Sequence, residues 1–143
     1  LAAGVDTAAM TAAIDAGGST VGVIGTPLDV AYPAANRRLQ EQVYRDHLLV
    51  SQFPLGSTVH RSNFPARNRL MCALSDGSVV IEASDSSGTL HQAAECVRLK
   101  RWLFITKSVM DDPSLTWPKK FESYERCVVL TEADDIISRV IAR

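Results

Sequence analysis

The sequence predicts an α/β protein of the doubly wound class, with a mainly parallel sheet and helices on both faces. Short β-branched or apolar runs alternate with helical patterns along all 143 residues, which is the rhythm of strand–helix units. The run Ser78-Val79-Val80-Ile81-Glu82-Ala83 is nearly unbroken in its apolar character, as a parallel strand buried on both faces requires. Val79 to Ile81 are therefore expected to be central. Strand ends also run into small or turn-forming residues before the next helix, as at Gly25-Thr26-Pro27 and Ser86-Ser87-Gly88-Thr89.

The elements follow in order. Thr7 to Ala16 is an alanine-rich helix, stopped by Gly17-Gly18. Thr20 to Ile24 is a short β-branched strand. Ala34 to Arg45 is a polar helix, and Leu48-Leu49-Val50-Ser51 a second strand. Asn63 opens a helix in which Pro65 sits in the first turn, where a missing N–H costs nothing. Leu70, Met71 and Leu74 share one face of it and are expected in the core, with Phe64 and Arg67 projecting on that side one or two turns earlier. After the Ser78 strand, Ser87-Gly88-Thr89 opens a helix to about Leu99, and Trp102 to Thr106 is a strand. Lys107 to Lys120 reads as a loop and Cys127 to Leu130 as the last strand. Thr131 begins Thr-Glu-Ala-Asp-Asp, a plausible cap and acidic first turn for the closing helix.

The chain fits one domain spanning 1–143 and can bury a sizeable core. Its composition, 46% hydrophobic and 22% charged, is that of a soluble globular protein. No apolar run approaches the roughly 18 residues of a membrane span, and no signal-peptide pattern opens the chain. A net charge of −1 excludes a uniformly polybasic binder, so any nucleic-acid site must be local. The charge is segregated: between Ala34 and Arg69 stand Arg37, Arg38, Arg45, Arg61, Arg67 and Arg69 against Glu41 and Asp46, while acids exceed bases from Met110 onward. Cys72, Cys96 and Cys127 show neither C-x-x-C spacing nor an even count. They read as buried free thiols in a reducing cytoplasm. His47, His60 and His91 offer no metal-ligand spacing.

In open parallel sheets ligands bind outside the carboxyl ends of the strands. Gly25-Thr26-Pro27, the stretch from Glu82 to Gly88 and the loop before Phe64 all fall there. Asn63-Phe64-Pro65-Ala66-Arg67-Asn68-Arg69 puts an aromatic ring and two guanidinium groups at a helix mouth, a combination suited to bases and phosphates. The alternative is a hydrophobic staple beside a solvated basic face. Ser87, Gly88 and Thr89 could hold a phosphate at a helix N-terminus, or be an ordinary N-cap. Glu82 could serve as a general acid or base, or bond to loop N–H groups. His91 could face a ligand, or be a half-exposed helical histidine. Asp29, Tyr32, Pro33 and Asn36 form a compact set that reads as a structured loop and helix start. Neither G-x-G-x-x-G nor a Walker lysine motif is present, and no catalytic or metal-binding constellation can be assembled.

Several of these segments, taken in order, resemble the DNA-processing protein A (DprA/Smf) family. They are Leu1-Ala2-Ala3-Gly4-Val5-Asp6, Ile24-Gly25-Thr26-Pro27-Leu28-Asp29, Tyr32-Pro33 with Asn36, Ser51 to Gly56, Asn63 to Arg69, Val80 to Ala83, Ser87 to Leu90, and the closing Glu132 to Ile137. The resemblance implies a Rossmann-like domain in a cytoplasmic, non-catalytic, cofactor-free protein. Such a protein binds single-stranded DNA, helps load a RecA-type recombinase in DNA uptake and transformation, and works as a homodimer. It maps DNA contact onto Arg61, Phe64, Arg67, Asn68, Arg69 and Gly25. The sequence departs from the family in places: Ala3 stands for a usual arginine, Met10 for a usual histidine, and Lys107 to Pro113 for a usual Pro-Gly turn. The usual first strand with its Gly-Ser-Arg loop and the usual winged helix are not in this sequence, so a fragment is one expectation. The rival reading is a nucleotide-binding sensor, or a relative of the LOG-type phosphoribohydrolases. Those enzymes resemble the Ser86 to Gln92 segment, but Gln92 stands where their glutamate would be.

Overall fold

The computed structural model describes residues 1–141. Contacts within it gather into two compact units, Leu1–Arg67 and a second beginning at Asn68.

The first unit holds α1 (Val5–Asp15), β1 (Val21–Ile24), a 3-10 turn (Ala34–Asn36), α2 (Arg37–Asp46), β2 (Leu48–Ser51) and the first turn of α3 (Asn63–Leu74). β1 and β2 pair in parallel, Val21 opposite Leu48 and Ile24 opposite Ser51. Parallel neighbours need a crossover, and α2 supplies it. Its apolar and amide side face inward: Val43 is fully buried and Gln40 nearly so, while Arg37, Arg38, Glu41 and Arg45 are exposed. Val43 packs with Leu1, Met10 and Ile24 into a small core. Side-chain hydrogen bonds fix the long β1–α2 loop. Thr26 Oγ1 donates to the Val30 carbonyl at 2.7 Å, and Gln40 Nε2 reaches the carbonyls of Leu28 and Val30 at 3.3 and 3.2 Å. Asn36 Nδ2 donates to Thr7 Oγ1 at 2.8 Å and to the Leu1 carbonyl at 3.0 Å. The Tyr32–Pro33 peptide is cis.

The second unit holds the rest of α3, then β3 (Gly77–Val80), α4 (Thr89–Arg98), β4 (Trp102–Thr106), α5 (Lys107–Met110), a 3-10 turn (Pro118–Phe121), β5 (Cys127–Leu130) and α6 (Asp134–Val140). Its strands are parallel in the order β3-β4-β5. The parallel α/β class is as the sequence predicts, but the middle strand of this sheet is β4. Leu103, Phe104 and Ile105 are its buried run, whereas Val79 is 43% exposed and Ile81 lies beyond the end of β3. A continuous apolar run marked both segments, and length could not rank them.

Three further expectations are corrected. Leu74 is 61% exposed, and the residue that α3 buries completely is Cys72. Its Sγ lies 3.6 Å from that of Cys96, 3.8 Å from Ser78 Oγ and 3.4 Å from the Gln92 carbonyl. All three cysteines are free, with Cys127 only half-buried. Thr131 is not the cap of α6. The Asp135 carboxylate reaches back instead and accepts the N–H groups of Thr131 and Glu132 at 2.9 and 3.1 Å. The stretch from Lys107 to Lys120 is no plain loop, since it contains α5 and the start of a 3-10 turn. It also contains Trp117, the largest fully buried side chain.

Candidate functional site

The residues expected to contact a ligand fall into two groups, one in each unit. In the first, β1 ends at Ile24 and Gly25 follows with its backbone against the Phe64 ring. A Cβ built on Gly25 would stand 2.8 Å from Phe64 Cδ1 and 3.1 Å from Cε1. Only glycine lets the ring lie flat against that backbone. Phe64 is half-buried, with one side held by Gly25. Tyr32, 61% exposed, stands beside it with ring centroids 5.3 Å apart at 48°. Arg67 completes the group, its guanidinium carbon 5.9 Å from the Phe64 ring centroid. Burial pulls the Arg67 pKa below its ordinary value, a shift opposed by Asp6. Its Nη1 donates to the Val23 carbonyl at 3.1 Å, tying the first turn of α3 to β1. Arg67 thus holds the aromatic pair in place more than it reaches outward.

Arg61 is different. It is exposed in the turn before α3, and its carbonyl accepts the Phe64 N–H at 3.4 Å, which ties the basic residue to the aromatic one through the backbone. Asn63, between them, is buried with its amide nitrogen unpartnered among the described residues. A buried, unmade hydrogen bond of this kind costs about 1–3 kcal/mol.

Replacing Gly25 by alanine is expected to push the Phe64 ring out of its seat. The methyl group cannot share space with a ring whose backbone is held by α3. Overpacking of this kind costs about 1–3 kcal/mol. Thermal unfolding of G25A, F64A and the double variant checks it. The double variant should be no less stable than F64A alone, because without the ring the methyl has nothing to strike.

In the second unit Ser87, Gly88 and Thr89 form a closed turn. Ser87 Oγ donates to Thr89 Oγ1 at 2.9 Å and accepts the Thr89 N–H at 3.2 Å. The hydroxyls are therefore engaged with each other at the start of α4. Asn68 is next to this turn, its Nδ2 3.9 Å from where a Gly88 Cβ would be. Arg69 is exposed and its charge helps hold the Glu95 carboxyl below its usual range, behind the larger effect of the Arg98 hydrogen bond. Gln92 Nε2 donates to Ser78 Oγ at 3.1 Å, so it serves the β3–α4 packing. Glu82 and His91 are both exposed.

The model of the family described as DNA recombination-mediator protein A matches residues 1–141. The chain belongs to that family. Among DprA relatives, the DNA processing protein DprA of Streptococcus pneumoniae is 45% identical over 112 residues, which is 78% of this chain and 40% of that protein. The X-ray structure of a DprA from the same species superposes with a TM-score of 0.84 at 36% identity, covering 96% of this chain and 48% of that one. A Helicobacter pylori DprA, described for its single-stranded DNA binding mode, superposes at TM-score 0.70 and 22% identity over 83% of this chain and 54% of that one, a likeness of fold. The family that the motif order suggested is thus the one the comparisons find, and the DprA Rossmann-like fold is the fold described above. The chain spans less than half the length of the curated DprA and Smf relatives it matches.

Sequence reasoning identified Phe64 and Gly25 but not their contact, and it missed Tyr32 as the second ring. A signal was present: Tyr32 stands in an exposed Ala-Tyr-Pro loop after a strand, where a large aromatic has little structural use.

Proposed function

We propose that this chain is the portion of a DNA-processing, recombination-mediator protein that binds single-stranded DNA, with Phe64 as the stacking surface. One observation carries the reading: the Phe64 ring is seated on a bare glycine backbone, with Tyr32 tilted beside it, a guanidinium packed on it and Arg61 exposed one turn away. Stacking surface beside cationic groups is what sequence-tolerant single-strand binding needs. Membership of the DprA family supports it, and the Helicobacter relative is described by its single-stranded DNA binding. Arg61 takes a phosphate, Arg67 orients the ring, and Gly25 admits it. Asn68, Arg69 and the Ser87–Thr89 turn are the second group of contacts. Fluorescence polarisation with labelled oligo-dT tests this. Retention of full binding by F64A and by R61A would overturn it.

The wider role follows the family resemblance: a cytoplasmic homodimer that helps load a RecA-type recombinase. Exposed Val129, Ile137 and Ile141 offer apolar surface for a second copy. No helix among the described residues is long and apolar enough to cross a membrane. Analytical ultracentrifugation, and recombinase filament growth on coated single strands, are the corresponding measurements.

We further propose that the chain has no hydrolase activity. Gln92 is committed to Ser78, and the hydroxyls of Ser87 and Thr89 to each other, which leaves the segment resembling phosphoribohydrolases without a carboxylate, and with exposed His91 as its one titratable side chain. Incubation with each nucleoside monophosphate is expected to release no free base above the rate of the buffer blank. Release that disappears in E82Q would reverse the assignment.

A further inference from the structure

A groove of about 430 Å³ opens in the first unit between α2 and the loops after β1 and β2. We propose that it is a base subsite selective for guanine, an inference that rests on the single-stranded DNA reading above. Its volume falls in the range of small-ligand pockets, about 300–1,000 Å³, with room for a base and its sugar. Leu28, Leu49 and Leu55 give it an apolar lining, and Tyr44 a ring. Tyr44 of α2 is 71% exposed and Leu55, in the loop after β2, 68%, an unusual outlay of apolar surface facing solvent. A planar aromatic guest would cover both.

The polar groups decide which guest. Arg37, Glu41 and Tyr44 lie along one face of α2 at helical spacing, and Asp29 joins them from the β1–α2 loop. Gln40 also lines the groove, but its amide is committed to the Leu28 and Val30 carbonyls. No side-chain hydrogen bond or ion pair engages Asp29, Arg37 or Glu41 among the described residues. One cation and two carboxylates are thus left for a ligand. A phosphate would meet two negative charges, so the backbone of a strand is excluded and a base is favoured. Guanine alone offers two adjacent acceptors to the guanidinium and two adjacent donors to a carboxylate. Its O6 and N7 accept a bidentate guanidinium, and its neighbouring N1–H and N2–H donors suit a carboxylate. Thymine presents one N–H between two carbonyls, and in adenine and cytosine the amine is flanked by a ring acceptor, so none of them gives a carboxylate two adjacent donors. A basic, apolar peptide would satisfy the carboxylates and leave Arg37 unanswered.

The β1–α2 loop also links the groove to the aromatic site. Ala31 lines it, and the next residue, Tyr32, faces Phe64. One strand can therefore place one base on Phe64 and another in the groove.

The test is fluorescence polarisation with an oligo-dT and a set of the same oligonucleotide carrying a single guanine at each successive position. Circular dichroism of each variant confirms the fold. At one position guanine is expected to tighten binding by about fivefold or more, the lower end for one good bidentate contact. Inosine there, which lacks the N2 amine, should give back part of the gain. Y44A and E41Q are expected to abolish the guanine preference and leave oligo-dT affinity within about twofold, while F64A lowers affinity for every oligonucleotide. Absence of any positional preference, or a preference that survives both Y44A and E41Q, overturns the subsite. If F64A still weakens oligo-dT binding in that case, the single-stranded DNA reading stands without it. No binding to any oligonucleotide overturns both.

Discussion

Replacement of Trp117 by alanine is expected to lower the unfolding free energy by about 3–5 kcal/mol, the usual loss for a large buried aromatic, as read from urea denaturation. Trp117 is fully buried and packs in the core with Val80, Ala83, Leu103, Ile105 and Val109, so truncation leaves a cavity that neighbours on two strands cannot close. Its indole N–H donates to the Ala83 carbonyl at 3.1 Å in a buried setting, and that carbonyl would be left without its donor. The backbone is pinned from the same loop: Asp85 accepts the N–H groups of Thr116 and Trp117 at 3.0 and 3.1 Å. These bonds, first that from Thr116, hold the Asp85 carboxyl below its usual pKa. Trp117 and Asp85 together fasten the chain after β3 on its way to the Ser87–Thr89 turn. W117F should recover most of the packing but not the hydrogen bond, and so fall between the two. A loss under about 1 kcal/mol for W117A would mean that the site collapses without cost.

The parallel α/β class was legible because its signals are local. β2, β4 and β5 begin and end where the apolar runs do, since β-branched and aromatic residues bounded by turn formers leave little freedom in placing a strand. What is not local was lost. Trp117 sits in a stretch rich in Lys, Asp, Ser and Pro, and its burial depends on a pocket built by Ala83 and Asp85 more than thirty residues earlier. The core face of α3 was misassigned for a similar reason. Leucine is the stronger hydrophobe, but it is Cys72 that α3 buries, its thiol set against a second thiol from α4. The candidate site shows the same division. Phe64 and the arginines were visible as composition, whereas the role of Arg67 was not. A guanidinium reads from sequence as surface charge, and only the Val23 carbonyl at 3.1 Å turns it into a strut.

Phe64→Ala and Arg61→Ala should both weaken single-strand binding, and they should do so in different ways. Phe64 is the platform, and stacking is worth about 1–3 kcal/mol per base, so F64A should raise the dissociation constant roughly 5- to 150-fold at every salt concentration. Tyr32, tilted beside it, cannot replace it because its own ring is not backed by Gly25. R61A removes a phosphate contact. Binding to single strands falls with salt at a log–log slope of about −0.7 for each phosphate neutralised. A protein making three contacts therefore loses roughly 20-fold over a fourfold rise in salt, and one making two loses about 7-fold. R61A should thus be most harmful at low salt and converge on the wild type as salt rises, while F64A runs parallel to it. Arg67→Ala separates the strut from the contact: because Arg67 is turned to the Val23 carbonyl, its loss should loosen the Phe64 ring and lower the melting temperature, with little change in salt slope. Titrations of the three variants with labelled oligo-dT at several salt concentrations give all of these slopes. A salt slope flattened by R67A and untouched by R61A would exchange the two roles.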